Sequence, residues 1–170
     1  MLNSYGSQHW WPGETPFEIM LGAVLTQNTS WSNVEKAISA LKVNKVLNPR
    51  AIVNTQHKHL AAWLTPVGYF NLKATRLQAY CNWYLETGEF DQLNKLETTE
   101  LRKALLSVKG VGAETAYDIL LYAFSRAVFV IDAYTRRLFS RLDYINGDEG
   151  YEIVRINFEK SPDKEPDKIE

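Results

Sequence analysis

Apolar residues recur with the period of an α-helix along almost the whole chain, and this rhythm limits the possible folds more than any other feature. Phe17, Met20, Leu21, Val24 and Leu25 fall at i, i+3, i+4, i+7 and i+8 behind Pro16, so one face of a helix is built for burial. Val34, Ala37, Ile38 and Leu41 repeat the pattern behind Ser32, a candidate N-cap. A third helix is expected over 51–64, closed by Pro66 and Gly68, and a fourth over 72–85, stopped near Gly88. Leu101, Ala104, Leu105 and Val108 form a short amphipathic helix that halts at Gly110; Thr115 to Phe124 and Ala133 to Leu142 read as two more. Only Ala127 to Ile131 has strand character, and five residues between helices are better read as a buried connector. The expected class is all-α. A chain of 170 residues suffices for one good core or for two helical lobes with a cleft between them.

A hydrophobic content of 45% and a charged content of 23% exclude a disordered chain. No apolar run reaches the roughly 18 residues of a membrane span. The start, Met1-Leu2-Asn3-Ser4-Tyr5, has neither basic residues nor an apolar core, so a cytoplasmic setting is expected. Cys81 is the single cysteine and cannot alone form a disulfide, a zinc site or an iron–sulfur site, so no metal is expected. The net charge of −1 argues against a nucleic-acid partner until its distribution is read. Between residues 101 and 141 seven Lys/Arg face three acids, whereas from Leu142 onward nine acids outnumber four bases. A basic segment thus sits beside an acidic tail. Ser161 to Glu170 is charged and broken by proline, which predicts a loop or frayed end with further helices expected beyond it.

Residues 105–141 carry most of the functional signal. An amphipathic helix runs into Lys109-Gly110-Val111-Gly112, and a second helix starts near Glu114. Two glycines around one apolar residue suit a tight hairpin, because glycine takes positive φ and lets another backbone approach. The N–H groups that open the second helix carry a partial positive charge suited to a phosphate, and a DNA backbone phosphate fits without any base being read. A plain αα-hairpin has the same residues. The run Val128-Phe129-Val130-Ile131-Asp132 then places an acid directly after four apolar residues, where an ionised carboxylate needs compensation. Asp132 also suits the N-cap of the helix that begins at Ala133, and the two roles are compatible.

Taken in order, these pieces resemble the endonuclease III-like helix–hairpin–helix superfamily of DNA glycosylases: helix, Gly-Val-Gly-x-x-Thr-Ala hairpin, helix, then Val-x-Asp opening another helix. Pro16-Phe17-Glu18 to Leu25-Thr26-Gln27-Asn28-Thr29 is similar to the family's early core helix and its Gln-bearing loop. Gly68-Tyr69-Phe70-Asn71-Leu72-Lys73-Ala74 is similar to its Gly-x-Tyr-Asn-x-Lys-Ala turn. The resemblance covers residues 10–145 and implies a glycosylase core over 1–145 with the helix–hairpin–helix at 101–124, followed by the acidic segment 146–170. It implies Asp132 as the catalytic carboxylate and double-stranded DNA containing damaged bases as the partner of a monomeric protein. Gln27, Asn28, Tyr69, Lys109, Gly110, Val111, Gly112, Thr115 and Arg136 become candidate DNA contacts, with Gln27 and Tyr69 filling the gap left by a flipped nucleotide. Arg136 and Arg137 lie one turn beyond Asp132, where a phosphate contact and a solvated helix charge are both open readings.

Two departures sharpen the resemblance. Bifunctional members carry a nucleophilic lysine two residues after the second glycine, where this chain has Glu114, so Schiff-base lyase chemistry is not expected. Many members hold an iron–sulfur cluster on four cysteines near the C-terminus; none of these is present, so no cofactor is expected unless a segment beyond residue 170 supplies one. Both departures, with Trp10-Trp11-Pro12 and Leu21-Gly22-Ala23-Val24-Leu25-Thr26-Gln27-Asn28-Thr29, are similar to the 3-methyladenine glycosylases of endonuclease III type. That branch implies monofunctional excision of alkylated purines. Such a base is cationic and already a good leaving group, and aromatic faces attract it by about 0.5–2 kcal/mol each. Trp10, Trp11 and Trp31 are the candidate base pocket, although a packing role on the first helix suits Trp10 and Trp11 equally. At about 4 Å and an effective dielectric of about 20, a carboxylate attracts a developing sugar cation by some 4 kcal/mol, roughly a thousandfold in rate. A non-catalytic helix–hairpin–helix DNA-binding module and a purely structural helical domain are the competing readings. The second needs neither the glycine hairpin nor a buried acid.

Overall fold

The computed structural model describes residues 11–160, and among these every regular element is helical. Helix α1 (Pro16–Leu25) is set by its ends. Thr15 Oγ1 accepts from Glu18 N at 3.2 Å and Pro16 occupies the first position, where its missing N–H costs nothing. Residues 20–25 are buried without interruption, so α1 is enclosed and not merely amphipathic. Around it run α2 (Trp31–Val43), α3 (Pro49–Asn54), α4 (His57–Trp63), a single 3₁₀ turn (Thr65–Val67), α5 (Phe70–Glu86), α6 (Glu89–Leu93), α7 (Thr98–Leu106) and α8 (Ala113–Asp118). Helix α8 continues as a π-helical turn (Ile119–Ala123), and α9 (Ala133–Arg141) and α10 (Tyr151–Glu159) close the described chain.

α3 and α4 lean on the long α5, α2 on the 3₁₀ turn, and α7 on α8. Helix α1 touches α2 and α5 on one side, α8 and the π-turn on the other. The two expected helical groups therefore share one buried cluster through α1, reaching from Met20 to Val128. Several boundaries differ from those read in the sequence. The expected helix over 51–64 is two helices, parted at Thr55–Gln56 where Thr55 turns extended and its Oγ1 bonds back to Ala51 O at 2.7 Å. Helix α2 starts at Trp31 behind Ser30, not behind Ser32. Helix α10 lies inside the segment read only as acidic. Ala127 to Ile131 is an irregular connector with Val128 and Ile131 buried, as expected. No described helix is long and apolar enough to cross a membrane.

Candidate active site and nucleic-acid interface

The hairpin between α7 and α8 uses its two glycines differently. Gly110 has φ +95°, and a Cβ there would lie 2.7 Å from Arg76 Cδ, so both backbone and space require glycine. Gly112 is extended at φ −90°, ψ 179°, with open space where a Cβ would stand. This corrects the expectation that both glycines serve positive φ: Gly112 leaves room outside the first turn of α8, which no side chain caps. Val111 and Thr115 are 8% and 5% exposed, so their side chains hold the hairpin from within and the outer surface falls to Lys109, Gly112 and the first N–H groups of α8.

Gln27 is committed to that hairpin. Its Nε2 donates to Gly110 O at 2.8 Å and to Thr115 Oγ1 at 3.0 Å, while its Oε1 accepts from Arg76 Nη1 at 2.8 Å. In this arrangement it is a brace between the α1 loop and the hairpin; reaching into a duplex would break all three bonds. Two of the candidate DNA contacts are exposed on these loops: Asn28, at φ 54°, and Tyr69, which is 73% exposed at φ 44°. Lys73 fixes the loops relative to one another, since its buried Nζ donates to Leu25 O at 2.9 Å and Val67 O at 2.8 Å. Burial, and secondarily the charge of Arg76, lowers its pKa to about 8.

Asp132 is the N-cap of α9, its Oδ1 accepting from Thr135 N at 2.6 Å. The preceding Ile131 N donates to the Tyr151 hydroxyl at 3.3 Å, so α10 helps to place the carboxylate. Arg136 Nη1 donates to Glu149 O at 2.8 Å and its charge also reaches Glu114. Arg137 lies over the Tyr134 ring at 5.1 Å, beside a shallow groove lined by Asp132, Thr135 and Leu138.

Electrostatically coupled to Asp132 is a stripe that the sequence reading missed. Asp118 and Tyr122 follow Glu114 at intervals of four. Desolvation, then the charge of Asp132, raises the pKa of Glu114 against a smaller opposing pull from Arg136. Burial, then Glu114 and Asp132, pushes Asp118 up to about 7. Tyr122 is raised by burial and by both aspartates, and its ring stacks on Trp11 at 4.9 Å. Trp11 meets Trp31 edge-on at 5.2 Å, and both press on Gly22 of α1. Trp11, Trp31 and Tyr122 thus form one aromatic cluster against α1, while Trp10 lies outside the described residues. The signal available in the sequence was the spacing of Asp118 and Tyr122 behind Glu114, which puts all three on one helical face.

The described residues do not offer an iron–sulfur ligand set. Cys81 is buried in α5 with its thiol pushed up to about 12 by burial, and no cluster of three or more metal-binding side chains occurs among them.

Likeness to known proteins bears on this geometry. The model of the HhH-GPD superfamily of base excision DNA repair proteins matches residues 21–163. A Methanocaldococcus jannaschii protein, whose designation as a DNA repair glycosylase is itself provisional, is 46% identical over 168 residues, covering 97% of this chain and 76% of that protein. Haemophilus influenzae endonuclease III is 28% identical over 143 residues, 84% of this chain, which spans only 63% of that enzyme. The structure of the H. pylori 3-methyladenine DNA glycosylase MagIII bound to 1,N6-ethenoadenine superposes with a TM-score of 0.79 at 34% identity, covering 94% of this chain and 75% of that one. A non-covalent endonuclease III–DNA complex superposes at 0.73 with 22% identity, which speaks to the fold. With the hairpin, the capping Asp132 and the braced loops in place, the chain belongs to the HhH-GPD superfamily of base excision DNA repair proteins.

Proposed function

We propose that this protein is a monofunctional DNA glycosylase that flips an alkylated purine out of the duplex and hydrolyses its N-glycosidic bond. What supports this reading is Asp132, fixed as an N-cap and electrostatically coupled to Asp118 and Tyr122, together with the aromatic cluster of Trp11, Trp31 and Tyr122. Lys109, Gly112 and the opening N–H groups of α8 grip a backbone phosphate without reading sequence, and Asn28 and Tyr69 probe the duplex from the two braced loops. Extruding the nucleotide costs a few kcal/mol and is cheapest at a damaged pair. In the pocket the base lies against aromatic faces. As the bond from C1′ to the base breaks, Asp132 stabilises the positive charge that grows on the sugar and receives the proton of the water that adds to it. Glu114 stands where a Schiff-base lysine would, so the abasic product is left intact. Likeness to the 3-methyladenine glycosylase supports the substrate class.

The test is incubation of the protein with methylated duplex DNA, scored for heat-labile abasic sites, alongside borohydride treatment of duplex that already holds an abasic site. Heat-labile sites without a covalent cross-link are expected. A stable cross-link would sink the monofunctional assignment. DNA binding without base release would assign the chain to a non-catalytic helix–hairpin–helix module instead.

A further inference from the structure

Beside the aromatic cluster is a carboxyl that the reaction above leaves unused. Glu114, Asp118 and Tyr122 succeed one another at intervals of four along α8 and the π-turn, with Tyr122 stacked on Trp11 at 4.9 Å at one end, and the charge of Asp132 acts on all three. Asp118 is the middle member, about one helical turn before the tyrosine that stacks on Trp11. It is half-buried, and no hydrogen bond to a described group contributes to its acidity. The groups that face it are Glu114 on its own helix, Tyr122 on the π-turn, Asp132 on α9 and Tyr151 on α10, and none of them is a cation. Arg136 is felt by Glu114 instead.

We propose that Asp118 is the general acid for neutral purines, giving its proton to a ring nitrogen of the flipped base as that base leaves, and that the same carboxyl, ionised, receives cationic alkylated purines. This rests on the glycosylase reading. The chemistry divides by substrate charge. An N-alkylated purine departs neutral when the pair of electrons in its bond to C1′ moves onto it, so no proton is needed. A neutral purine departs as an anion unless protonated, and that proton is what Asp118 supplies. Water then adds to C1′ and its proton passes to Asp132; exchange with solvent returns a proton to Asp118 and removes one from Asp132. The sum is the damaged nucleotide and water going to free base and abasic sugar. A half-buried acid held at about 7 has both forms at hand near neutral pH.

Single-turnover base release by the full chain tests this on two duplexes, one carrying 1,N6-ethenoadenine as the neutral base and one carrying 7-methylguanine as the cationic base. For the wild type, ethenoadenine release should fall as pH rises through about 7 while 7-methylguanine release does not follow that limb. Asp118→Asn should lower ethenoadenine release by about a hundredfold and abolish its alkaline limb, with less than about a tenfold loss on 7-methylguanine. An effect that is equal on the two bases, or a wild-type alkaline limb that survives the substitution, overturns the proposal and leaves the glycosylase reading standing. So does a wild type that releases 7-methylguanine and never ethenoadenine. Release of neither base overturns the glycosylase reading itself. Should Asp118→Asn fail to bind an abasic-analogue duplex, the wild-type profiles on the two substrates decide alone.

Discussion

Residues 16–128 and residues 129–160 are held in place by different forces. In the first region Leu21, Leu25, Leu41, Leu77 and Leu105 retain no exposed surface, and each such side chain contributes about 1.5–3 kcal/mol of burial. In the second, α9 buries no residue fully and α10 buries only Val154. Aromatic pairs join it instead, Phe129 with Phe158 at 5.0 Å, Phe139 with Phe158 at 4.3 Å and Tyr117 with Tyr151 at 5.4 Å. Ion pairs add to these: Glu152 binds both Arg102 and Arg155, and Arg155 also binds Glu159. Tyr134, Leu138, Leu142 and Tyr144 remain exposed. The hairpin is therefore set rigidly by burial and by the Gln27 brace, whereas the position of Asp132 depends on one cap bond, one tyrosine hydroxyl and partly solvated charges. On the proposed reading, grip on DNA and placement of the Asp132 carboxylate are mechanically separate, and changes in the two regions should separate binding from chemistry.

The largest effect tests that separation directly. Asp132→Asn keeps the cap, since asparagine caps as well as aspartate, and removes the charge; base release should fall by about a thousandfold or more. Its affinity for an abasic-analogue duplex, measured by titration, should not change; a parallel loss of affinity would show the two regions to be one unit.

Gly110→Ala places a Cβ against Arg76 in a left-handed backbone, and should cost about 1–3 kcal/mol in a denaturant melt while disturbing the Gln27 brace. Gly112→Val puts its Cβ in open space and should leave the melt almost unchanged. It should instead weaken binding to every sequence and reduce the slope of log affinity against log salt by about one. If the two glycine variants exchange phenotypes, the phosphate site has been put on the wrong residue.

Asp118 links stability to pH in a direction opposite to an ion-paired acid. Its folded-state value of about 7 stands above the usual 3.8, so between those two values the folded protein holds a proton that the unfolded chain releases. Stability is thus lost as pH rises across that window. Asp118→Asn should remove this loss, so its Tm should draw ahead of the wild type by a few degrees from the acid end to neutrality and run parallel above it. Curves that stay parallel throughout would show that folding does not raise the pKa of Asp118.

The smallest effect belongs to the peripheral ion pairs. Arg155→Ala should cost about 1 kcal/mol or less globally, yet speed amide hydrogen exchange in α9 and α10 and leave α1 and α5 unchanged. Equal acceleration in both regions would erase the distinction drawn between them.

How much of this was legible in the sequence follows from how local each cause is. The faces of α1, α2, α5 and α9 were readable because burial repeats with the helical period. The hairpin and the cap at Asp132 were readable because glycine and capping preferences act over a few residues. The break at Thr55–Gln56 was hidden by apolar residues that keep a helical rhythm across it. Helix α10 was hidden because its charges read as an acidic tail until Arg102, fifty residues away, paired with Glu152.

The sequence by itself determined an all-helical chain, a glycine at 110, a capping acid at 132 and a glutamate in place of the lyase lysine. Tertiary structure alone decided that Gln27 turns inward to bonds 83 and 88 residues away. It also decided that Tyr122 stacks on Trp11 and that Asp118 loses solvent and comes under the charge of Asp132. The physical reason is range. Propensity, capping and backbone sterics act within a turn or two of the chain, whereas desolvation, charge coupling and aromatic stacking depend on which distant segments the core brings together.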